Sequence, residues 1–220
     1  MMGLVPIDAA LYERCRAIPT STWSDALDGL GLSGVVEGIA WRSGASRIAG
    51  PAMTVSEDVW PLGAMPFEAF DVGGMLASAG SGAVIVIALT ASADVSTFGG
   101  LAARAATARG IAGVIIDGGC RDIEEIRERG LFVASRHVTP RSGKRRIRVR
   151  YGGAITCGNV RIAPGDAIVA DQTGIVVIPS ARVVGALNVA EQLEAKDAEF
   201  ASSLDRGQGF EAVASRLRHV

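Results

Sequence analysis

A chain of 220 residues with 49% hydrophobic and 20% charged side chains and a mean hydropathy of +0.31 has the apolar content for a packed core and lies outside the disordered range. Its 22 basic and 23 acidic residues leave a formal charge of -1, which gives no electrostatic ground for a nucleic-acid partner. Cys15, Cys120 and Cys157 are widely separated, with no CxxC or Cys/His pairing. This excludes an encoded disulfide framework or zinc site and favours a reducing cytoplasm.

The N-terminus lacks a basic stretch before an apolar one, so it does not read as a signal peptide. The longest apolar run, Gly82 to Leu89, falls far short of the roughly 20 residues that span a bilayer. A soluble intracellular protein with no membrane contact is expected. Along the chain, Ser21 or Thr22 is placed to cap a helix through Trp23 and Leu27, which Gly29, Gly31 and Gly34 then end. A strand follows at Gly50 to Val55. Helical spacing of Phe67, Phe70, Met75 and Leu76 predicts a helix over Met65 to Ala79. The continuous apolar run Ala83 to Leu89 then reads as a strand covered on both faces.

Next come a glycine loop at Ser96 to Gly100, a small-residue helix from Leu101 to Arg109, and a second buried strand from Ile111 to Asp117. Strand, loop, helix and strand make a βαβ unit. Gly118 to Asp122 lead into a charged helix, Ile123 to Arg129, and on to a strand at Leu131 to Ala134. From Ile147 the pattern becomes short strands with turn punctuation, ending at Ile175 to Ile178: an antiparallel region. Pro179-Ser180 open a closing helix, about Ala181 to Leu204, with Val184, Leu187, Val189, Leu193 and Phe200 on or near one face. Nothing divides residues 1–220, whose core spans about 20–179, into separate domains.

The densest chemistry is Asp117-Gly118-Gly119-Cys120-Arg121-Asp122, where a buried strand gives way to a helix. Ligands of α/β sheets bind outside the carboxyl ends of strands. Arg121 offers a planar two-pronged donor to a carboxylate, and Asp122 a hard oxygen for a cation. Asp122 reads equally well as the helix cap, with Arg121 its surface partner. The loop Phe98-Gly99-Gly100-Leu101-Ala102 opens the preceding helix, whose free N–H groups favour an anion. It lacks the GxGxxG and GKS/T patterns of a nucleotide site. Two consecutive strands ending in glycine loops can converge on one pocket.

Gly99-Gly100-Leu101-Ala102, followed after 18 residues by Arg121-Asp122, resembles the signature of the family that includes the regulator of ribonuclease activity A and the class II pyruvate aldolases of 4-hydroxy-4-methyl-2-oxoglutarate. Matching blocks continue at Ser24 to Asp28, Ala49 to Thr54, Val138 to Pro140, Pro164 to Asp171 and Gly174 to Pro179, so the resemblance covers about residues 20–205. It implies an α/β fold of the swivelling β/β/α type, one domain with a long C-terminal helix, assembling as a homotrimer or hexamer. It also implies a substrate held by the backbone of Gly99, Gly100, Leu101 and Ala102 and by Arg121. Asp122 would anchor a divalent metal cation, Mg²⁺ or Mn²⁺, largely through waters. The implied activity is cleavage of 4-hydroxy-2-oxo acids and decarboxylation of oxaloacetate through a shared pyruvate enolate. A Schiff-base lysine is not required, and Lys144 and Lys196 fall outside both glycine loops.

Two departures accompany the resemblance. Aldolases of the family often carry an acidic residue where this chain has Gly100. They also borrow an acidic side chain from a neighbouring subunit's closing helix, for which Asp197 is the first candidate here and Glu194 the second. The basic run Arg141 to Arg150 lacks interleaved aromatics and alternates as the solvated or subunit-contact face of a strand does, and His137 and Cys120 read as structural. The alternative function is a non-catalytic regulator that binds an RNA-degrading enzyme or another protein. That branch tends to lack the complete Arg-Asp pair. A methyltransferase reading fails because no glycine-rich loop with an acidic strand end follows the first strand.

Overall fold

The computed structural model describes residues 8–44, 46–91 and 94–217; the start of the N-terminal stretch considered for a signal peptide, residues 1–7, lies outside them. Two short helices come first, α1 (Ala9–Ala17) and α2 (Thr20–Gly29). The expected cap of α2 by Ser21 or Thr22 is not made. The helix begins at Thr20, behind Pro19 in extended conformation, and the threonines are engaged elsewhere. Thr20 donates through both N–H and Oγ1 to Asp171, and Thr22 Oγ1 to Glu194.

Strands β1 (Ala40–Ser43), β2 (Arg47–Val59), β3 (Val84–Leu89), β4 (Ser96–Phe98), β5 (Gly113–Cys120), β6 (Phe132–Val138), β7 (Ile147–Tyr151), β10 (Ala167–Asp171) and β11 (Ile175–Ile178) form one mixed sheet. Its order is β1-β6-β5-β3-β2-β10-β11, with β4 added to β5 and β7 to β2. β8 (Ile155–Cys157) and β9 (Val160–Ile162) form a separate hairpin. The parallel centre, β2-β3-β5-β6, is the buried part anticipated from its continuous apolar runs. β2 is much longer than the predicted strand because it serves three partners in turn: β10 through Pro51, β3 from Ala52, and β7 from Val55.

Helices α3 (Val72–Ser78), α4 (Gly100–Ala108) and α5 (Ile123–Glu128) pack on one sheet face around Ile85, Ile87, Val114 and Ile116. The hairpin covers the other face, around Val84, Val86, Ile115 and Phe132. α1, α2 and α6 (Val183–Asp205) cover β10 and β11. The helix expected over Met65 to Ala79 is broken into a 3-10 turn, Phe67–Ala69, and α3. Pro66 sets the start of the turn, and Asp71 caps α3 by accepting from Gly74 N–H at 2.8 Å. α6 follows a separate 3-10 turn at Ser180–Arg182 and ends before Gly207 in a left-handed turn. Val184, expected on its buried face, is exposed, while Val183, Ala186, Leu187 and Ala190 are buried. A last helix, α7 (Phe210–Leu217), returns so that Phe210 meets Phe200 at 4.9 Å between ring centroids.

Two buried acids lie in contrasting environments. Asp171 accepts from Thr20 N–H and Oγ1–H and from the N–H groups of Thr173 and Gly174. Burial raises its pKa, and these donors outweigh burial, so its carboxyl lies below the ordinary 3.8. Stability from Asp171 is therefore present above the ordinary value and lost as pH falls through the folded one. Asp171→Ala is expected to cost about 2–3 kcal/mol in urea unfolding at pH 7, with a smaller difference from wild type below pH 3. Glu57 on β2 is fully buried, and neither carboxylate oxygen has a hydrogen-bond partner. Burial pushes its pKa up from 4.5 to about 8.

Candidate active site

The two glycine loops meet. β4 runs parallel to β5, and Arg121 N–H donates to Phe98 O at 3.0 Å, joining the end of one loop to the start of the other. The predicted loop Gly118-Gly119 is itself strand, continuing β5 to Cys120. Its glycines admit neighbouring chain rather than ligand. A Cβ at Gly119 would stand 2.6 Å from Val95 O, and one at Gly118 2.6 Å from a Leu89 methyl.

Asp122 occupies the N-cap position of α5 but makes no side-chain cap there. Its backbone is left-handed, φ 57 and ψ 41, a conformation that costs a non-glycine residue about 1 kcal/mol and that Asp tolerates better than most. This turn aims the carboxylate across to α4, where Asp122 Oδ2 accepts from Gly100 N–H at 3.0 Å. Arg121 Nε lies 3.5 Å from the same oxygen. A carboxylate at the N-terminus of α4 is favoured by the helix dipole. The structure puts Asp122 at the cap position with its side chain turned to the Gly100 N–H of α4 and Arg121 beside it.

The same geometry explains Gly99-Gly100. A Cβ at Gly99 would stand 2.5 Å from Asp122 Oδ2, and one at Gly100 would overlap the carboxylate of Glu125. The space that a side chain at position 100 would enter is thus filled from α5. Glu125 was missed in the sequence as part of a charged helix; its signal was the i, i+3 spacing from Asp122, which puts both on one helix face.

A cavity of about 550 Å³ opens beside this pair. Gly99, Leu101, Ala102, Arg121, Asp122 and Glu125 are among the residues that line it. Gly100 is buried behind them with its N–H given to Asp122. The N–H groups of Leu101 and Ala102 belong to the first turn of α4, where an α-helix offers no acceptor of its own. Ser96, Thr97, Ser142 and Lys144 line it as well, and Phe67, Phe70, Val72 and Phe98 are its larger apolar contributors. Lys144 lies outside both glycine loops in sequence, yet the fold returns it to the cavity. Asp197 and Glu194, on α6, are not part of this wall.

Cys120 is buried, with Sγ 3.3 Å from Ser135 Oγ, and burial raises its pKa, so the thiol is not poised as a nucleophile. His137 Nε2 lies 3.8 Å from Asp94 Oδ1, and neither residue lines the cavity. The basic run forms β7 with Ile147 buried and Arg148 and Arg150 exposed, Arg150 pairing with Asp58.

Among the described residues no group of three His, Cys, Asp or Glu side chains is placed to hold a metal ion by itself. Asp122 and Glu125, one turn apart at a water-accessible cavity, suit a hard divalent ion that keeps most of its waters, as Mg²⁺ does. No helix among the described residues is long and apolar enough to cross a membrane.

Comparison with known proteins agrees with this architecture. A family model described as Aldolase/RraA matches residues 20–177. A Halalkalibacterium halodurans protein, provisionally named 4-hydroxy-4-methyl-2-oxoglutarate aldolase, is 32% identical over 186 residues, covering 83% of this chain and 82% of that protein. The crystal structure of an uncharacterized Pseudomonas syringae pv. tomato protein superposes with a TM-score of 0.84 at 27% identity, covering 96% of this chain and 99% of the other. Streptomyces coelicolor RraAS2, described as an unusual member of the RNase ES inhibitor RraA family, shares the fold with a TM-score of 0.77 at 24% identity, covering 93% and 100%. The matched span holds the two loops that build the cavity, and the chain belongs to the RraA-like, Aldolase/RraA family.

Proposed function

We propose that the protein is a divalent-metal-dependent lyase that releases pyruvate from 4-hydroxy-2-oxo acids of the 4-hydroxy-4-methyl-2-oxoglutarate type and from oxaloacetate. The observation that carries the reading is the convergence of Arg121, Asp122 and Glu125 on the N-terminus of α4 at one cavity. Asp122 and Glu125 would hold a divalent ion such as Mg²⁺ or Mn²⁺, which would supply Lewis acidity toward the 2-oxo acid. The N–H groups of Leu101 and Ala102 receive the substrate carboxylate. Arg121 stabilises the oxyanion of the enolate with a fixed charge beside the reacting carbons.

In aldol cleavage the C4 hydroxyl gives up its proton to a water held by Glu125 and the C3–C4 bond breaks. Its electron pair passes into the enolate, C4 becomes a carbonyl, and C3 then takes a proton back from that water to give pyruvate. In decarboxylation the bond to the departing CO₂ breaks to give the same enolate. Glu125 takes the place of the acidic loop residue of related aldolases and holds the water or proton beside position 100. Asp197, with Glu194 second, serves the cavity of a neighbouring copy in a trimer or hexamer.

Steady-state pyruvate release from 4-hydroxy-4-methyl-2-oxoglutarate with Mg²⁺ tests the reading. Glu125→Ala is expected to lower kcat roughly 10²-fold, and Gly100→Asp in that background to regain part of the loss, because the aspartate enters the vacated space. Gly100→Asp alone should be impaired by its collision with Glu125. No turnover in any folded, metal-loaded form would refute the lyase and favour a regulator.

A further inference from the structure

One buried acid has no task in the proposed reaction. Glu57 is fully buried on β2, and neither of its carboxylate oxygens has a hydrogen-bond partner. Successive strand residues point to opposite faces, so Glu57 shares its face with Met53 and Val55, which pack in the apolar cluster beneath α3, α4 and α5. Its register partners, Leu89 on β3 and Val149 on β7, pack in the same cluster. The carboxyl is thereby set among hydrocarbon. That cluster also supplies cavity wall: Val72, at the start of α3, and Phe98, at the end of β4, pack in it and line the cavity. Leu89 reaches further. A Cβ at Gly118 would stand 2.6 Å from Leu89 Cδ1, so this side chain lies over β5 just before Cys120-Arg121-Asp122.

No charge on the surrounding elements answers the carboxyl. β3, β4 and α3 carry no charged side chain. Asp71, the cap of α3, is exposed and accepts from Gly74 N–H. Glu68 of the 3-10 turn, Arg104 and Arg109 of α4, and Arg148 and Tyr151 of β7 are exposed. Asp58, next on β2, points to the opposite face and pairs with Arg150, and Asp117 of β5 pairs with Arg136. With no partner, burial pushes the Glu57 pKa from 4.5 up to about 8. Ionisation within the cluster would leave an unpaired buried charge, which is relieved by admitting water or by moving the side chain.

We infer that Glu57 is a proton-operated latch on the cavity: with its proton the carboxyl stays within the apolar cluster and Val72 and Phe98 stand firm, and without it the cluster takes in water, the wall loosens and the 2-oxo acid binds less tightly. The effect on the 2-oxo acid rests on the lyase reading; the loosening of the wall does not. Glu57 does not line the cavity. It is a positioning residue that acts through Val72, Phe98 and Leu89. Linkage makes the coupling reciprocal, so a substrate that favours the firm wall draws a proton onto Glu57 as it binds.

The test follows methyl NMR relaxation of wild type, Glu57→Gln and Glu57→Leu between about pH 6.5 and about pH 9, beside KM and kcat for oxaloacetate with Mg²⁺. In wild type the side-chain order of Val72 and Leu89 should fall as pH rises, while Val169 and Ile178, which pack in a separate cluster under α6, keep theirs. KM should rise by up to roughly tenfold relative to the two variants, as the share of protein holding the proton shrinks, with kcat little changed. Both variants, neutral throughout, should keep the order of Val72 and Leu89. Constant order at Val72 and Leu89 in wild type, or a fall that persists in either variant, overturns the latch and leaves the lyase standing. A KM that follows the same course in wild type and variants overturns the coupling to substrate. If oxaloacetate is not turned over at any pH, the lyase reading fails, and the loosening of the wall is decided by the relaxation data alone.

Discussion

Asp122→Asn should reduce kcat/KM for oxaloacetate decarboxylation roughly 10²- to 10³-fold while leaving the thermal unfolding midpoint within a few degrees of wild type. Asparagine keeps an oxygen to accept from Gly100 N–H and tolerates the left-handed backbone at this position, so the variant removes little besides the charge. Asp122→Ala should lose at least as much turnover. It should also lose about 1–2 kcal/mol of stability, because alanine is strained at φ 57 and leaves the Gly100 N–H without its carboxylate. The pair of variants, assayed for pyruvate release and by calorimetry, separates the charge from the fold. Wild-type turnover in Asp122→Asn would remove the carboxylate from the chemistry and leave it a backbone clamp.

Glu57 gives the second large effect, and its sign is opposite to that of Asp171. Its folded pKa is raised by burial to about 8, whereas the unfolded chain ionises near 4.5. Between those values the folded state holds a proton that the unfolded state has released, so stability falls as pH rises through that window. The loss assignable to this one group is on the order of a few kcal/mol by pH 8. Its neighbours offer no relief. β3 carries no charged residue, Leu89 and Val149 stand opposite Glu57 in register, and the β7 arginines 148 and 150 are exposed, Arg150 being paired with Asp58. Glu57→Gln should therefore flatten the dependence of unfolding free energy on pH between 5 and 8 and be more stable than wild type at pH 8. Parallel profiles for the two proteins would show that Glu57 gains a proton-independent partner.

Much of the framework is written locally. The apolar runs at 84–89 and 113–116 are buried on both faces, and the alternation through Arg146, Ile147, Arg148, Val149 and Arg150 gives β7 its exposed and inward sides. Arg121, Asp122 and the Gly99 loop, which line the cavity, are legible as candidates because both loops lie where strands end. The departures have physical causes. β4 is three residues long, too short to show a period, and reads as loop. Pro66 and the Asp71 cap interrupt an otherwise helical spacing. Glycines 118 and 119 look like a turn because strands rarely contain such a pair, but here they let β4 and Leu89 approach β5. Lys144 and Phe67 reach the cavity only through the pairing of residues 141–143 with Ser96 and of residues 60–63 with 145–146. That is a tertiary arrangement with no local signature.

Metal-dependent lyase chemistry at this cavity is tested by pyruvate release from oxaloacetate by metal-stripped protein before and after addition of Mg²⁺ or Mn²⁺, with Arg121→Ala alongside. No turnover above the free-metal background is expected until metal is added, full turnover afterwards, and none above background in Arg121→Ala. Turnover that ignores the metal, or survives loss of Arg121, would contradict it.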